Sequence, residues 1–401
     1  MTSGDQLLTK LSLPVTLPFN LDRLEFLLND YLACLIDGVV QNERSLAQDG
    51  SIGFGAYLAM RASSKDRDDV TWALGSHIGS VVWSTIFPLG VKNISLRKNV
   101  IAAAYSGYQA GASLNNFLGP SHRMKWHVTA TAGAVASASA ASVMLGLNSR
   151  QHENSLRLAL TNMSGSALAP REREGAAAFN RASATTLGLI SAMTDAPSIS
   201  NLWDASHGML TLYSGTGGPA TIIDGVSETG IRPFATNGFA QSAVLATSVL
   251  SARQTGKLHL LEVYVPQNTA PLLDGSRGGS WWTLKCSVAS AWESADPTKL
   301  FPSPEIESLI SIVPSDVPMN GARVIVHTST GKDSFEQLSP PGLALELPQE
   351  QAWARTKWSA MAGSKADEIS QMANHFVRGL PNDKLWKFFD QILNSASQLI
   401  S

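Results

Sequence analysis

The sequence predicts a mainly helical protein interrupted by a smaller α+β domain, on three changes of pattern along its 401 residues. Up to about residue 230, apolar residues recur three and four apart, the spacing that lays them on one face of a helix. From Ile231 the pattern turns to alternation and β-branched residues, as in strands. From Gln349 to Ile400 helical spacing returns. The chain therefore divides into a first helical part (1–231), an α+β domain (232–348) and C-terminal helices that rejoin the helical part (349–401).

Each element has a local reason. In "LDRLEFLLNDYLACLIDG", residues 21–38, the residues Leu21, Leu24, Leu28, Tyr31, Leu32 and Leu35 share a face. Asn20 is placed to cap that helix and Gly38 to end it. Further helices are predicted over 97–116, 128–146, 150–163 and 179–194. The stretch "KWHVTATAGAVASASAASVMLGL" (125–147) supplies the second of these. Its alanines and serines let neighbouring backbones approach closely, and it lacks the strongly apolar run of a membrane span, so a buried helix is expected. Asn148 followed by Gln151 forms a capping box for the third. "KLHLLEVYVPQ" (257–267) and "ARVIVHTSTGKDSFEQL" (322–338) predict strands, the latter broken into a hairpin at a Thr-Gly turn. Gly, Ser and Pro between Ala270 and Asp316 predict loops there, and no internal repeat is visible.

Composition excludes several classes of function. With 44% hydrophobic and 15% charged residues the chain buries a large core. The formal charge is −2 and the 30 Lys and Arg are scattered, so no basic field favours nucleic acid. Cys34 and Cys286 lie far apart and suggest neither a disulfide framework nor a cysteine zinc site. The N-terminal residues lack a basic region followed by an apolar run, so a cytoplasmic protein with no membrane attachment is expected. No glycine-rich nucleotide fingerprint follows a strand. His77, His122, His127, His152, His207, His259, His327 and His375 show no metal-ligand spacing. No cofactor and no metal are expected, and the predicted partner is a small-molecule substrate.

His127 stands at the head of the small-residue helix, where main-chain N–H groups favour a neutral imidazole and can help to bind an anion. It is the first candidate for acid or base.

Six segments in order carry a family resemblance: "LNDYLACLIDG", "DRDDVTWALGSHIGSVVW", "GYQAGASL", "KWHVTATAGAVASASAASVMLGLNSRQ", "LALTNMSGSAL" and "IRPFATNGFAQSA". Together they resemble the MmgE/PrpD family, which includes 2-methylcitrate dehydratase, cis-aconitate decarboxylase and iminodisuccinate epimerase. The resemblance implies a large all-helical domain, an α+β lid beginning near Arg232, a cleft between them, and a homodimer formed through the helical part. It also implies metal-free removal of a proton next to a carboxylate. On that basis His127 and His77 are the expected acid and base. Asp68, in the run Asp66, Asp68, Asp69, is expected to orient a histidine, and Arg232 to hold a carboxylate bidentately.

The departures from the family pattern point to a different substrate. Val128 stands where proline is usual. Glu174 falls at or near the family's lysine in "REREGAAAFNRASA", with Arg171, Arg173 or Arg181 as shifted replacements. Thr236 and Asn237 stand where a further histidine occurs, and Trp281, Trp282 and Thr283 where cis-aconitate decarboxylase has a tyrosine. With Trp126, these give Asn237, Trp281, Trp282 and Thr283 as expected substrate contacts in a more aromatic cleft. The expected function is a cofactor-independent dehydratase- or decarboxylase-like lyase acting on a bulky polycarboxylate such as an alkylcitrate. An isomerase or cyclase of secondary metabolism and a non-catalytic binding protein are the alternatives.

Overall fold

The computed structural model describes residues 2–16, 19–40, 50–167, 176–195, 199–203, 206–234, 236–270, 283–294 and 303–397. The chain forms two compact units, one of residues 1–229 with 361–401 and the other of residues 230–360.

The first unit is helical. Helix α1 (Ser3–Leu11) opens on a capping box between Thr2 and Asp5. In α2 (Leu21–Asp37) Asn20 accepts a hydrogen bond from the Arg23 N–H at 3.1 Å, and of the predicted face Leu24, Leu28, Tyr31, Leu32 and Leu35 are buried while Leu21 is half-buried. Then follow α3 (Gly50–Ser63), α4 (Gly79–Lys92), α5 (Val100–Lys125), α6 (Val128–Leu145), α7 (Ser149–Asn162) and α8 (Ala176–Met193). Helix α5 runs beyond the predicted 97–116. Its continuation passes a kink at Gly119 (φ 76°) and Pro120, where the sequence reads as a stop.

Helix α6 is the axis of this unit, wrapped by α4, α5, α7 and α8. It is long and apolar enough to cross a bilayer, yet 89% of it is buried inside the protein. The hydroxyls of Thr129, Thr131, Ser137 and Ser139 find partners that make this burial tolerable, whereas the Ser142 hydroxyl has none among the described residues. Ser137 donates to the Thr185 carbonyl (3.0 Å) and meets Thr85 Oγ1 (2.7 Å), while Ser139 bridges Ser106 Oγ (2.7 Å) and His152 Nε2 (3.0 Å). Burial lowers the His152 pKa to about 4, so that ring is neutral. The C-terminal helices α9 (Ala366–Val377) and α10 (Asp383–Ser397) close the unit. Phe389 stacks on Phe87 of α4 at 3.9 Å, and Trp386 meets the same ring edge-on at 5.7 Å.

The second unit is α+β. Four strands, β1 (Leu258–Pro266), β2 (Ile310–Ser315), β3 (Ala322–Thr328) and β4 (Gly331–Gln337), form one sheet in the order β2-β1-β3-β4. Only the β1–β2 pair among them is parallel. Leu261, Val263 and Val265 alternate inward with Val324 and Val326, onto helices α11 (Gln241–Ser251) and α12 (Leu284–Glu293). The hairpin turns at Thr330-Gly331, as expected.

Two expectations change here. The stretch between Ala270 and Asp316 contains α12 and β2 among its described residues, short elements whose signal the surrounding Gly, Ser and Pro mask. The division between units falls at residue 361 rather than 349, because helix α13 (Pro348–Ala362) belongs almost entirely to the second unit. There the Gly342 N–H donates to the buried Glu350 carboxylate.

Candidate functional site: a histidine pair at the head of helix α6

His127 is the N-cap residue of α6, with extended backbone (φ −76°, ψ 101°). Its carbonyl accepts from the Ala130 N–H (2.8 Å), and its own N–H donates to the Gly165 carbonyl (2.9 Å). Gly165 has φ +121° and a Cβ there would come within 2.5 Å of the Ala130 Cβ, so glycine is required for this approach. The Asn180 amide nitrogen of α8 lies 3.0 Å from His127 Nδ1. An amide N–H can only donate, so Nδ1 accepts and the neutral ring carries its proton on Nε2.

His77 takes the opposite tautomer. Its Nδ1 lies 2.6 Å from the main-chain carbonyl of Asp69, which can only accept, so the proton sits on Nδ1 and the neutral ring has its lone pair on Nε2. The His77 main-chain N–H donates to Thr129 Oγ1 at 3.0 Å. Thr129 is in the first turn of α6, two residues after His127. Both histidines are therefore tied to the head of one helix.

Asp69 anchors the loop that carries His77. Both carboxylate oxygens lie 3.1 Å from the Gly79 N–H at the start of α4, and the Tyr108 hydroxyl of α5 donates to Oδ2 at 2.9 Å. A Cβ on Gly79 would fall 2.2 Å from both Asp69 Oδ2 and the Tyr108 oxygen, so only glycine lets the carboxylate sit there. Burial, and then the charge of Asp68, push the Asp69 pKa up to about 7, with Asp30 adding to the rise and the Tyr108 and Gly79 donors opposing it. The native state thus holds a proton that the unfolded chain releases near pH 4, at about the ordinary Asp value. Stability from this group is full below that pH and is lost as the pH rises toward 7. Asp69→Asn cannot ionise and removes this dependence. Its stability relative to wild type, from urea unfolding, is expected to improve by at least ~1.4 kcal/mol, one pKa unit's worth, between about pH 4.5 and pH 7.5. A constant difference would show that Asp69 does not titrate there.

Asp68 is paired with an arginine. Arg181 Nε donates to its Oδ2 at 2.7 Å and Nη2 to its Oδ1 at 3.2 Å, while Asp66 Oδ1 lies 3.8 Å from the same guanidinium. Arg181 is fully buried and Asp68 is 2% exposed. The Nδ1 of His77 meets the carbonyl of Asp69, the next residue in the acidic run. The contacts close a ring: His127 to Asn180, its neighbour Arg181 to Asp68, its neighbour Asp69 to His77, and His77 to Thr129 beside His127. Asn180, Thr129 and Tyr108 were not singled out by sequence, and Asp69 only as a member of the acidic run. A cation also reaches the His77 loop, since Arg123 Nη1 donates to the Ala73 carbonyl at 3.1 Å.

The remaining expected contacts are distributed as follows. Trp126 is half-buried and packs on Tyr213, centroids 4.9 Å apart. Arg232, Asn237 and Thr283 belong to the second unit, where Arg232 is buried at 1% exposure. Asn237 Oδ1 accepts from the Ala240 N–H (3.1 Å), and Thr283 caps α12 by accepting from the Cys286 N–H (3.2 Å). Trp281, Trp282, Arg171, Arg173 and Glu174 lie outside the described residues. Among the described residues, no three His, Cys, Asp or Glu side chains are grouped to hold a metal ion.

Residues 55–221, which include every member of the ring, match the sequence model of the MmgE/PrpD N-terminal domain. No curated protein matches the chain. The helical unit, with its histidines held at the head of a buried small-residue helix, is the part that matches, and over that part the chain is similar to the MmgE/PrpD family.

Proposed function

We propose that the protein is a lyase that removes a proton next to a carboxylate, with His77 as base and His127 as hydrogen-bond donor. The observation that carries this reading is what each Nδ1 meets, a main-chain carbonyl at His77 and the Asn180 amide nitrogen at His127, which assigns the neutral rings an Nε2 lone pair and an Nε2–H respectively. In the reaction, the substrate C–H proton goes to His77 Nε2 and the freed electron pair delocalises into the adjacent carboxylate. That carboxylate oxygen gains charge, and the His127 N–H stabilises it. Collapse of the pair to a C=C bond expels a β-hydroxyl, which takes the proton back from the His77 imidazolium and departs as water. The match of residues 55–221 to the MmgE/PrpD N-terminal domain supports the lyase class, and the sequence departures at Glu174 and at Thr236-Asn237 support a substrate bulkier than a simple tricarboxylate.

The test is incubation of the purified protein with citrate, cis-aconitate and a series of alkylcitrates of rising chain length, read by mass spectrometry beside His77→Ala. A product lighter by water or carbon dioxide and absent from the variant is expected. A new species of unchanged mass would replace the lyase by an isomerase or cyclase, and no conversion across the series would reject this substrate class.

A further inference from the structure

A base works only while its lone pair stays aimed, and the aim of His77 depends on a loop. The nine residues from Asp69 to His77 form a loop short enough that the carbonyl of one end holds the ring of the other at 2.6 Å. That carbonyl is fixed only as firmly as Asp69 itself. Its side chain grips the Gly79 N–H on the far side of His77 and the Tyr108 hydroxyl on α5, so one residue clamps both ends of the loop and ties them to two helices.

We infer that Asp69 is the positioning residue of His77, fixing its Nδ1–H tautomer by holding its own carbonyl against the ring through the carboxyl grip on Gly79 and Tyr108. The inference rests on the reading of His77 as base, and it names a group that touches no reacting atom. The charged and titratable groups around the clamp are Asp68, itself paired with Arg181, Asp30 and Tyr108. The surroundings are thus rich in carboxylates, and the clamp works with Asp69 either protonated or ionised, since the Gly79 amide and the Tyr108 hydroxyl can serve both forms.

The test reads the ring directly. In protein labelled with ¹⁵N-histidine, the His77 signal, identified by its loss in His77→Gln, reports which nitrogen carries the proton at about pH 8. Wild type is expected to show the Nδ1–H form alone. Asp69→Ala is expected to show a mixture of both tautomers, with kcat on the substrate of the proposed reaction down about 100-fold, the cost of a ~1 Å misplacement, and KM within about twofold. Asp69→Asn keeps an acceptor for Gly79 and a polar contact to Tyr108, and is expected to restore the single tautomer. Should Asp69→Ala not fold, Tyr108→Phe, which removes one hydroxyl, is expected to show the same mixture in smaller proportion. A single Nδ1–H tautomer in a folded Asp69→Ala, or in Tyr108→Phe where that variant decides, overturns the inference. Because the spectrum needs no substrate, this outcome is separate from the failure of the lyase reading, which turnover decides.

Discussion

Arg181→Met is expected to destabilise the protein by about 3–5 kcal/mol, the cost of leaving one charge of a buried ion pair alone. The guanidinium is fully buried and Asp68 nearly so, and the two donors at 2.7 and 3.2 Å form a fork on the carboxylate. Methionine fills a similar volume, so the loss comes from Asp68, which then keeps its charge without the guanidinium that balanced it or takes up a proton in a pocket built for the anion. Among the described residues Arg181 Nη1 has no hydrogen-bond partner, so the pair is an incompletely satisfied one. The double variant Asp68→Asn with Arg181→Met is therefore expected to recover more than half of the loss. Urea unfolding of the three proteins checks this. A single-variant loss under ~1 kcal/mol would mean that water already screens the pair.

How much of this was legible in the sequence depends on whether a contact has a side-chain signature. Helix α2 and the capping box at Asn148 and Gln151 were legible because spacing and capping residues are local properties. Helix α4 carried no such pattern: it is buried on nearly all faces, contains Pro88, and is rich in β-branched residues, so packing rather than propensity makes it a helix. The same contrast holds at the site. His127 announced itself by standing before a helix without charges, and the family pattern pointed to His77. Which main-chain carbonyl would hold His77 was not legible, because every residue has one. Tyr108 lay in a segment quoted for its resemblance, yet nothing in "GYQAGASL" says that its hydroxyl reaches a carboxylate 39 positions away. Arg181 was one of three arginines in a segment of alternating charge, and only the fold shows that it points inward to Asp68.

The two histidines are expected to fail differently when replaced by glutamine, and the difference follows from what each ring offers at Nε2. Glutamine places an amide N–H near the position of an imidazole Nε2–H, but it takes up no proton at neutral pH. At position 127 the proposed role is donation to an oxygen gaining charge, which an amide N–H can imitate. His127→Gln should therefore retain more activity than His127→Ala, whose loss is expected to reach 10²–10³ in kcat, the usual cost of one such donor. At position 77 the proposed role is to accept a proton, which neither residue can do, so His77→Gln and His77→Ala should lose alike, about 10²–10⁴. Exchange of the substrate's carbon-bound hydrogen in D₂O separates the steps further. It should persist, slowed, in His127→Gln and vanish in His77→Gln, because abstraction needs the base whether or not the leaving group departs. Equal rescue by glutamine at both positions would show that His77 is not the base, and exchange that survives in His77→Gln while vanishing in His127→Gln would reverse the assignment.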